Sequence, residues 1–194
     1  IGEPETVAKS IDEIRAAIAK AANVVRRLSI FSGRRALEQK VFQIAEFKDE
    51  IDSLIQPSIG KQFAVECEFR DEGARVKCDR SELTQAVLNL VINAEQAMLS
   101  ANGRGLLVVR TWHDPTRELV VLEINDDGPG IPDEVQPKIF DPFFTTKDVG
   151  KGTGLGLTVA YAIVHEHGGR IRLESHSARG ASFFVELPVT ATRT

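Results

Sequence analysis

Glycine is crowded into one stretch of this sequence. Residues 124–157 read INDDGPGIPDEVQPKIFDPFFTTKDVGKGTGLGL and contain Gly128, Gly130, Gly150, Gly152, Gly154 and Gly156. Glycine loses more backbone freedom on folding than any other residue, so this density is costly in a regular element. It suits places where the chain takes positive φ or where backbone must come close to a ligand. The last cluster runs into LGLTVAYAIVHEH, whose spacing predicts a helix. A glycine loop that feeds a helix start presents unpaired N–H groups at the positive end of the helix dipole, which suits phosphate. The competing reading is a pair of glycine-rich surface turns.

The rest of the composition narrows the class. The 194 residues are 42% hydrophobic and 27% charged, as in an ordinary globular domain with one extra element. The net charge of −4 argues against a nucleic-acid partner. No apolar run reaches the roughly 20 residues that span a bilayer, and no signal peptide is visible. Cys67 and Cys78 have no metal-ligand spacing and read as reduced structural thiols of a cytosolic protein. The chain starts on Ile1, and we expect it to be part of something longer.

Val7, Ile11, Ile14, Ile18, Ala21, Val25, Leu28 and Ser32 follow an alternating spacing of four and three, a heptad seam that Gly33 ends. The pattern predicts a long coiled-coil-type helix over residues 1–35. It needs a partner helix from elsewhere, or else packs on the chain's own globular part. From residue 36 onward, short strands and helices alternate. KVFQIAE, QFAVECEF and ARVKCD read as strands, and EFKDEIDSLIQPSI as a helix. The spacing predicts a helix over 81–99 with Ser81 as a candidate cap. Its buried stripe is Leu83, Val87, Leu90, Val91, Ala94 and Met98, and its polar face is Gln85, Asn89, Asn93 and Gln96. GLLVVRTWH and RELVVLEIND read as strands around a DPT turn, and GRIRLES and ASFFVELP as a closing hairpin. The expected fold is α+β: a two-layer α/β sandwich over residues 36–194, with a mixed, mostly antiparallel sheet and helices on one face.

Asn89 and Asn93 stand four apart, so they project side by side. Asparagine forms helices poorly, and two in mid-helix fit either packing amides or neutral oxygen ligands for a Mg²⁺ that phosphates already charge-balance. Asp126 ends a strand beside Gly128, as a plain turn residue or as an acceptor for a ligand amine. Together with the glycine loop, these parts describe a nucleotide site. The loop is not a P-loop, because GKGTGLGLT lacks the GK[ST] ending, and no GxGxxG occurs.

NLVINAEQAM, DDGPGIP, IFDPFFTTK and GKGTGLGL, in this order, resemble the N box, first glycine box, F box and second glycine box of bacterial sensor histidine kinases. INAEQAM and FFTTK are similar in style to the nitrogen-regulator branch. AANVVRRLSIFSGRR resembles the second helix of that family's dimerisation and phosphotransfer bundle. The resemblance implies ATP and Mg²⁺ as ligands, with Asn93 on the metal and Asn89 nearby on metal or phosphate. It implies Asp126 on the adenine amine, Gly128 and Gly130 letting backbone approach the base, and Ile131 against it. Phe140, Phe143 and Phe144 would anchor a lid carrying Thr146 and Lys147, with Lys147 reaching the phosphates. Gly152, Thr153, Gly154, Leu155 and Gly156 would line the phosphates.

Hydrolytic members of the wider superfamily carry a glutamate where Asn89 stands. An asparagine takes no proton, so transfer to an acceptor is expected rather than hydrolysis. The four histidines, His113, His165, His167 and His176, all fall in the nucleotide-binding part, and the helix that bears the acceptor histidine is absent from the sequence. His165 and His167 read as surface residues at a helix end. Ala181 stands where a threonine is usual, and Gln96 where many relatives have a basic residue that contacts phosphate. The implied partners are a response-regulator receiver domain and an acceptor helix or second protomer, with a homodimer formed through the N-terminal helix and no nucleic acid. The implied location is cytoplasmic, alone or as the cytosolic part of a membrane-bound sensor. Two rival readings are a non-catalytic nucleotide-binding regulator and an ATPase or serine kinase of the same superfamily.

Overall fold

The computed structural model describes residues 37–70, 73–147, 152–177 and 179–190. The heptad helix and the division at residue 35 lie outside the described residues. Strand β1 (Lys40–Gln43) passes through a 3₁₀ turn (Ile44–Phe47) into helix α1 (Lys48–Ser58). Then come β2 (Phe63–Phe69), β3 (Arg75–Cys78), α2 (Arg80–Asn102), β4 (Gly105–Asp114), β5 (Leu119–Asp126), α3 (Gly156–Glu166), β6 (Arg170–Ser175) and β7 (Ala181–Pro188).

Five strands form one sheet in the order β2-β4-β5-β7-β6. Only β2 and β4 run parallel, because α2 lies between them in the chain and serves as the crossover that parallel strands need. The expected α/β sandwich is therefore present. It has an addition that local spacing did not show: β3 pairs with β1, Phe42 opposite Val76, in a separate two-stranded sheet.

Strand alternation sorts the sheet into two faces. On one face, rows of opposed residues run across the strands. One row is Val109, Ile124, Phe183 and Leu173, and the next is Thr111, Leu122, Val185 and Ile171. Apart from the half-buried Leu173, these rows are buried against the helical layer, whose own stripe of Leu83, Val87, Leu90, Val91, Ala94 and Met98 is buried as the spacing predicts. The other face is covered by the sheet's own side chains. Arg110 bridges Glu68 and Glu123 at 3.3 and 3.2 Å. Trp112 meets Phe184 edge-on, and the Arg172 guanidinium lies 4.0 Å over the Phe184 ring. The buried Glu186 carboxylate is held by Arg117, Arg170 and Arg172. Burial would raise its pKa, but the hydrogen bonds from Arg170 and Arg117 win, and it lies below the usual range.

Two sequence expectations are corrected by long-range hydrogen bonds. The cap of α2 is Asp79 rather than Ser81. Its Oδ1 accepts from the Ser81 and Glu82 amides at 3.0 and 3.4 Å, and its Oδ2 from the Glu38 amide at 3.0 Å. His167 is no surface residue; it is 7% exposed. Its Nδ1 bonds Ile163 O at 2.7 Å and its Nε2 accepts from the Asp79 amide at 3.0 Å. An acceptor at Nε2 requires the proton on Nδ1. The ring thus ties the end of α3 to the start of α2. At the other end of α2, Gly103 takes φ 67 and stops the helix.

Candidate functional site

Asp126 continues the inward phase of Val120, Leu122 and Ile124 on β5, so its side chain joins the buried face. It is 3% exposed, and burial raises its carboxyl to about pKa 6 even though Oδ1 accepts from the Gly128 amide at 2.9 Å. Its row across the sheet is Leu107, Asp126, Ala181 and Ser175. Ser175 was not singled out from sequence. Its Oγ accepts from the Ile131 amide at 2.8 Å and donates to Gly180 O at 2.8 Å, so it fixes the glycine turn that carries Ile131. A serine on the inward phase of an otherwise apolar strand was the available signal.

The turn from Asp126 to Gly130 packs by backbone. A Cβ on Gly128 would lie 2.7 Å from Asp126 Oδ1 and 3.4 Å from the Met98 amide, which places the turn against the last turns of α2. Gly130 has φ +71, and a Cβ there would lie 2.2 Å from His176 O. Both glycines are therefore demanded by the protein's own packing.

On α2, the polar face divides. Asn89 is 2% exposed, a buried amide rather than a solvent-facing one, and its Oδ1 accepts from Gln85 Nε2 at 3.2 Å. Asn93 and Gln96 are half-buried. Gln96 Oε1 accepts from the Lys147 ammonium at 2.5 Å, which brings the lid to α2 one turn beyond Asn93. Burial holds the Lys147 ammonium below its usual pKa. Thr146 and Thr153 are exposed and Gly152 is half-buried.

The two ends of the lid are clasped together. The Phe143 amide donates to Gly154 O at 3.0 Å, and a Cβ on Gly154 (φ +63) would lie 2.3 Å from Phe143 C. Phe143 itself takes φ 66 and is 68% exposed. Of the expected anchors, it holds by backbone rather than by ring. The half-buried Phe140 holds by ring, 5.2 Å from Tyr161 on α3. Leu155 is buried and opens α3 with no side-chain cap on the helix start. The amides of the first turn therefore have no side-chain acceptor at the cap position. Gly156 differs from its neighbours: a Cβ there would meet nothing within 4 Å.

The donor set fits one kind of cation. Among the described residues, no group of three His, Cys, Asp or Glu side chains could hold a metal ion. Neutral amide oxygens on α2 fit Mg²⁺ only when phosphates supply the negative charge. A helix bearing amides, a buried strand-end carboxylate and a glycine helix start without a side-chain cap thus lie on one sandwich, a set of groups that suits a nucleotide with its metal. The chain belongs to the histidine kinase-, DNA gyrase B- and HSP90-like ATPase family, whose model matches residues 78–191.

Its relatives place it on the histidine kinase side of that family. The sensor kinase CckA of Brucella abortus is 36% identical over 182 residues, covering 87% of this chain and 19% of that protein. The sensory histidine kinase/phosphatase NtrB of Rhizobium leguminosarum is 31% identical over 180 residues, covering 87% of this chain and 46% of NtrB. The crystal structure of histidine kinase ThkA in complex with the response regulator TrrA superposes with a TM-score of 0.73 at 30% identity, covering all of this chain and 55% of that one. This chain thus spans less than half the length of CckA and of NtrB. Among the described residues, no helix is long and apolar enough to cross a membrane.

Proposed function

We propose that this chain is the ATP-binding catalytic part of a sensor histidine kinase. It passes the γ-phosphoryl group of ATP to a histidine on a bundle helix, for relay to a response-regulator aspartate. The observation that carries this reading is the buried amide of Asn89. An amide cannot accept a proton, so this position offers no general base to a hydrolytic water. Transfer to a neutral imidazole nitrogen needs positioning and charge neutralisation above all. The bond to the β-phosphate oxygen breaks, a P–N bond forms, and ADP leaves.

In this reading, Asp126 accepts from the adenine amine, while Gly128, Gly130 and Ile131 flank the base. Asn93 and Asn89 offer amide oxygens to Mg²⁺, whose charge neutralises phosphate oxygens. Lys147 meets the phosphates from the lid, which Phe140 anchors and Thr146 extends. Gly152, Thr153, Gly154, Leu155 and Gly156 turn their backbone amides toward them. The acceptor histidine lies outside the set of four, and the response-regulator partner follows the ThkA–TrrA pairing. In this reading residues 1–35 belong to the dimerisation and phosphotransfer part of the whole protein, and the protein works in the cytoplasm.

The test is transfer in trans. The chain is loaded with γ-labelled ATP and Mg²⁺, then mixed with a separately made sensor-kinase helix bundle and a receiver domain. Label is expected on the bundle histidine and then on the receiver. Label on a histidine of this chain, or phosphate released to water without transfer, overturns the proposal.

Two neighbouring glycines give a contrast that separates fold from binding. Gly154→Ala forces a side chain into positive φ and against Phe143 backbone. It should destabilise the domain by about 1–3 kcal/mol, read as a lower denaturation midpoint. Gly156→Ala has open space and a helical position, so it should hold or raise stability by up to about 1 kcal/mol. Its methyl would obstruct phosphate at the helix start, and calorimetry should show weaker ATP binding. Equal ATP affinity in Gly156→Ala would remove this residue from the phosphate site.

A further inference from the structure

We propose that Gln96 is a positioning residue for Lys147: its neutral amide oxygen holds the lid's ammonium against the amide face of α2, beside Asn93, and so sets where that charge meets the phosphates of ATP. The proposal rests on the ATP site described above. Gln96 and Lys147 lie 51 residues apart, yet Lys147 Nζ donates to Gln96 Oε1 at 2.5 Å. The lysine is constrained along its whole length. Its amide donates to Thr145 Oγ1 at 3.2 Å. Its stem runs past Gly152, where a Cβ would stand 3.3 Å from Lys147 Cδ and 3.4 Å from its Cβ. Both side chains are half-buried, so the contact is more than a loose surface encounter.

The chemistry explains why an amide belongs at this position. A lysine ammonium is a compact point charge on a long flexible stem. A basic residue at 96 would repel it. A carboxylate would hold it more tightly, but would cancel its charge and add a negative group facing the phosphates. An amide oxygen orients the ammonium and leaves its full charge for phosphate. A partly desolvated ammonium also needs an acceptor when no phosphate is present, and Gln96 supplies one. Gln96 thus acts through Lys147, in place of a phosphate contact of its own.

The experiment measures ATP and adenosine affinities, with Mg²⁺, for wild type, Gln96→Ala, Gln96→Glu, Lys147→Ala and the double variant Gln96→Ala/Lys147→Ala. Releasing the lysine adds the cost of ordering one long side chain on binding. Gln96→Ala should therefore weaken ATP about three- to tenfold and leave adenosine unchanged, and Gln96→Glu should weaken ATP further. In the Lys147→Ala background, Gln96→Ala should have no further effect, which marks an action through the lysine. An undiminished effect there, a loss of adenosine affinity, or unchanged ATP binding in Gln96→Ala overturns the proposal.

A second measurement needs no nucleotide. Reductive methylation followed by mass spectrometry should find Lys147 faster to react in Gln96→Ala than in wild type, because the amine loses an acceptor that holds its protonated form. Equal Lys147 rates in wild type and Gln96→Ala overturn the pairing. If wild type binds no ATP while the methylation result holds, the nucleotide reading fails and the Gln96–Lys147 contact stands.

Discussion

Asn93→Ala is expected to remove most of the gain in ATP affinity that Mg²⁺ confers and to leave the fold intact. This residue sits half-buried on an inner turn of α2, on the face that Lys147 reaches through Gln96. Alanine is the better helix former, so the denaturation midpoint should stay or rise. In the proposed reading the variant loses a neutral oxygen ligand of the cation. A hydrogen bond or ligand contact to a charged group contributes about 1.5–3 kcal/mol, so ATP affinity with Mg²⁺ should fall at least ~tenfold to ~100-fold. Binding without Mg²⁺ should change little. Calorimetric titration of wild type and variant, each with and without Mg²⁺, reads all four values. Equal loss in both conditions would mean that the residue supports the pocket rather than the metal. Asn89→Ala should behave differently, because that side chain is buried and bonded to Gln85. Stability and binding should fall together there.

ATP binding is expected to depend on pH near 6 through the proposed adenine contact of Asp126. Burial raises its pKa from 3.8 to about 6, so the carboxylate is ionised at neutral pH and takes its proton as pH falls through 6. The ionised oxygen accepts from an amine, so binding favours the deprotonated form. Below pH 6 affinity should fall, approaching ~tenfold per pH unit where binding requires full ionisation. Stability runs the other way. A group with a raised folded pKa contributes stability that is complete below about pH 4 and is lost as pH rises through about 6.

Asp126→Asn tests the assignment. If the amide oxygen keeps the bond to the Gly128 amide, its NH₂ faces the adenine amine, donor against donor. Affinity at pH 7 should fall by at least ~tenfold, in line with an unsatisfied buried donor costing about 1–3 kcal/mol. The step near pH 6 should vanish. Titrating both proteins with the same ligand over pH 5–8 separates this step from the ligand's own phosphates. A pH profile that Asp126→Asn leaves unchanged would assign the titration to another group.

Much of the fold was legible because it depends on local periodicity. The stripe from Leu83 to Met98 named the buried face of α2, and the apolar segments of β4, β5 and β7 read as strands. The four ordered motifs identified the family before any contact was known. Less legible were features that depend on how elements dock. The spacing that put Asn89 on a polar face could not show that this face is covered. The helical end at His167 looked exposed until its Nε2 met the Asp79 amide, 88 residues away. Phe143 carried an aromatic side chain suited to anchoring, but the clasp is made by its backbone.

By itself, the sequence determined most of the elements, the apolar stripe of α2 and the kinds of group available for nucleotide chemistry, because these follow from local spacing and side-chain chemistry, while the resemblance of its four motifs pointed to the family. Tertiary structure alone decided which of those groups lose water and which meet. It placed Asp126 in a desolvated row and moved its pKa to about 6. It joined Lys147 to Gln96, and it paired β3 with β1. Burial and long-range hydrogen bonding are properties of the packed layers, and no window along the chain contains them.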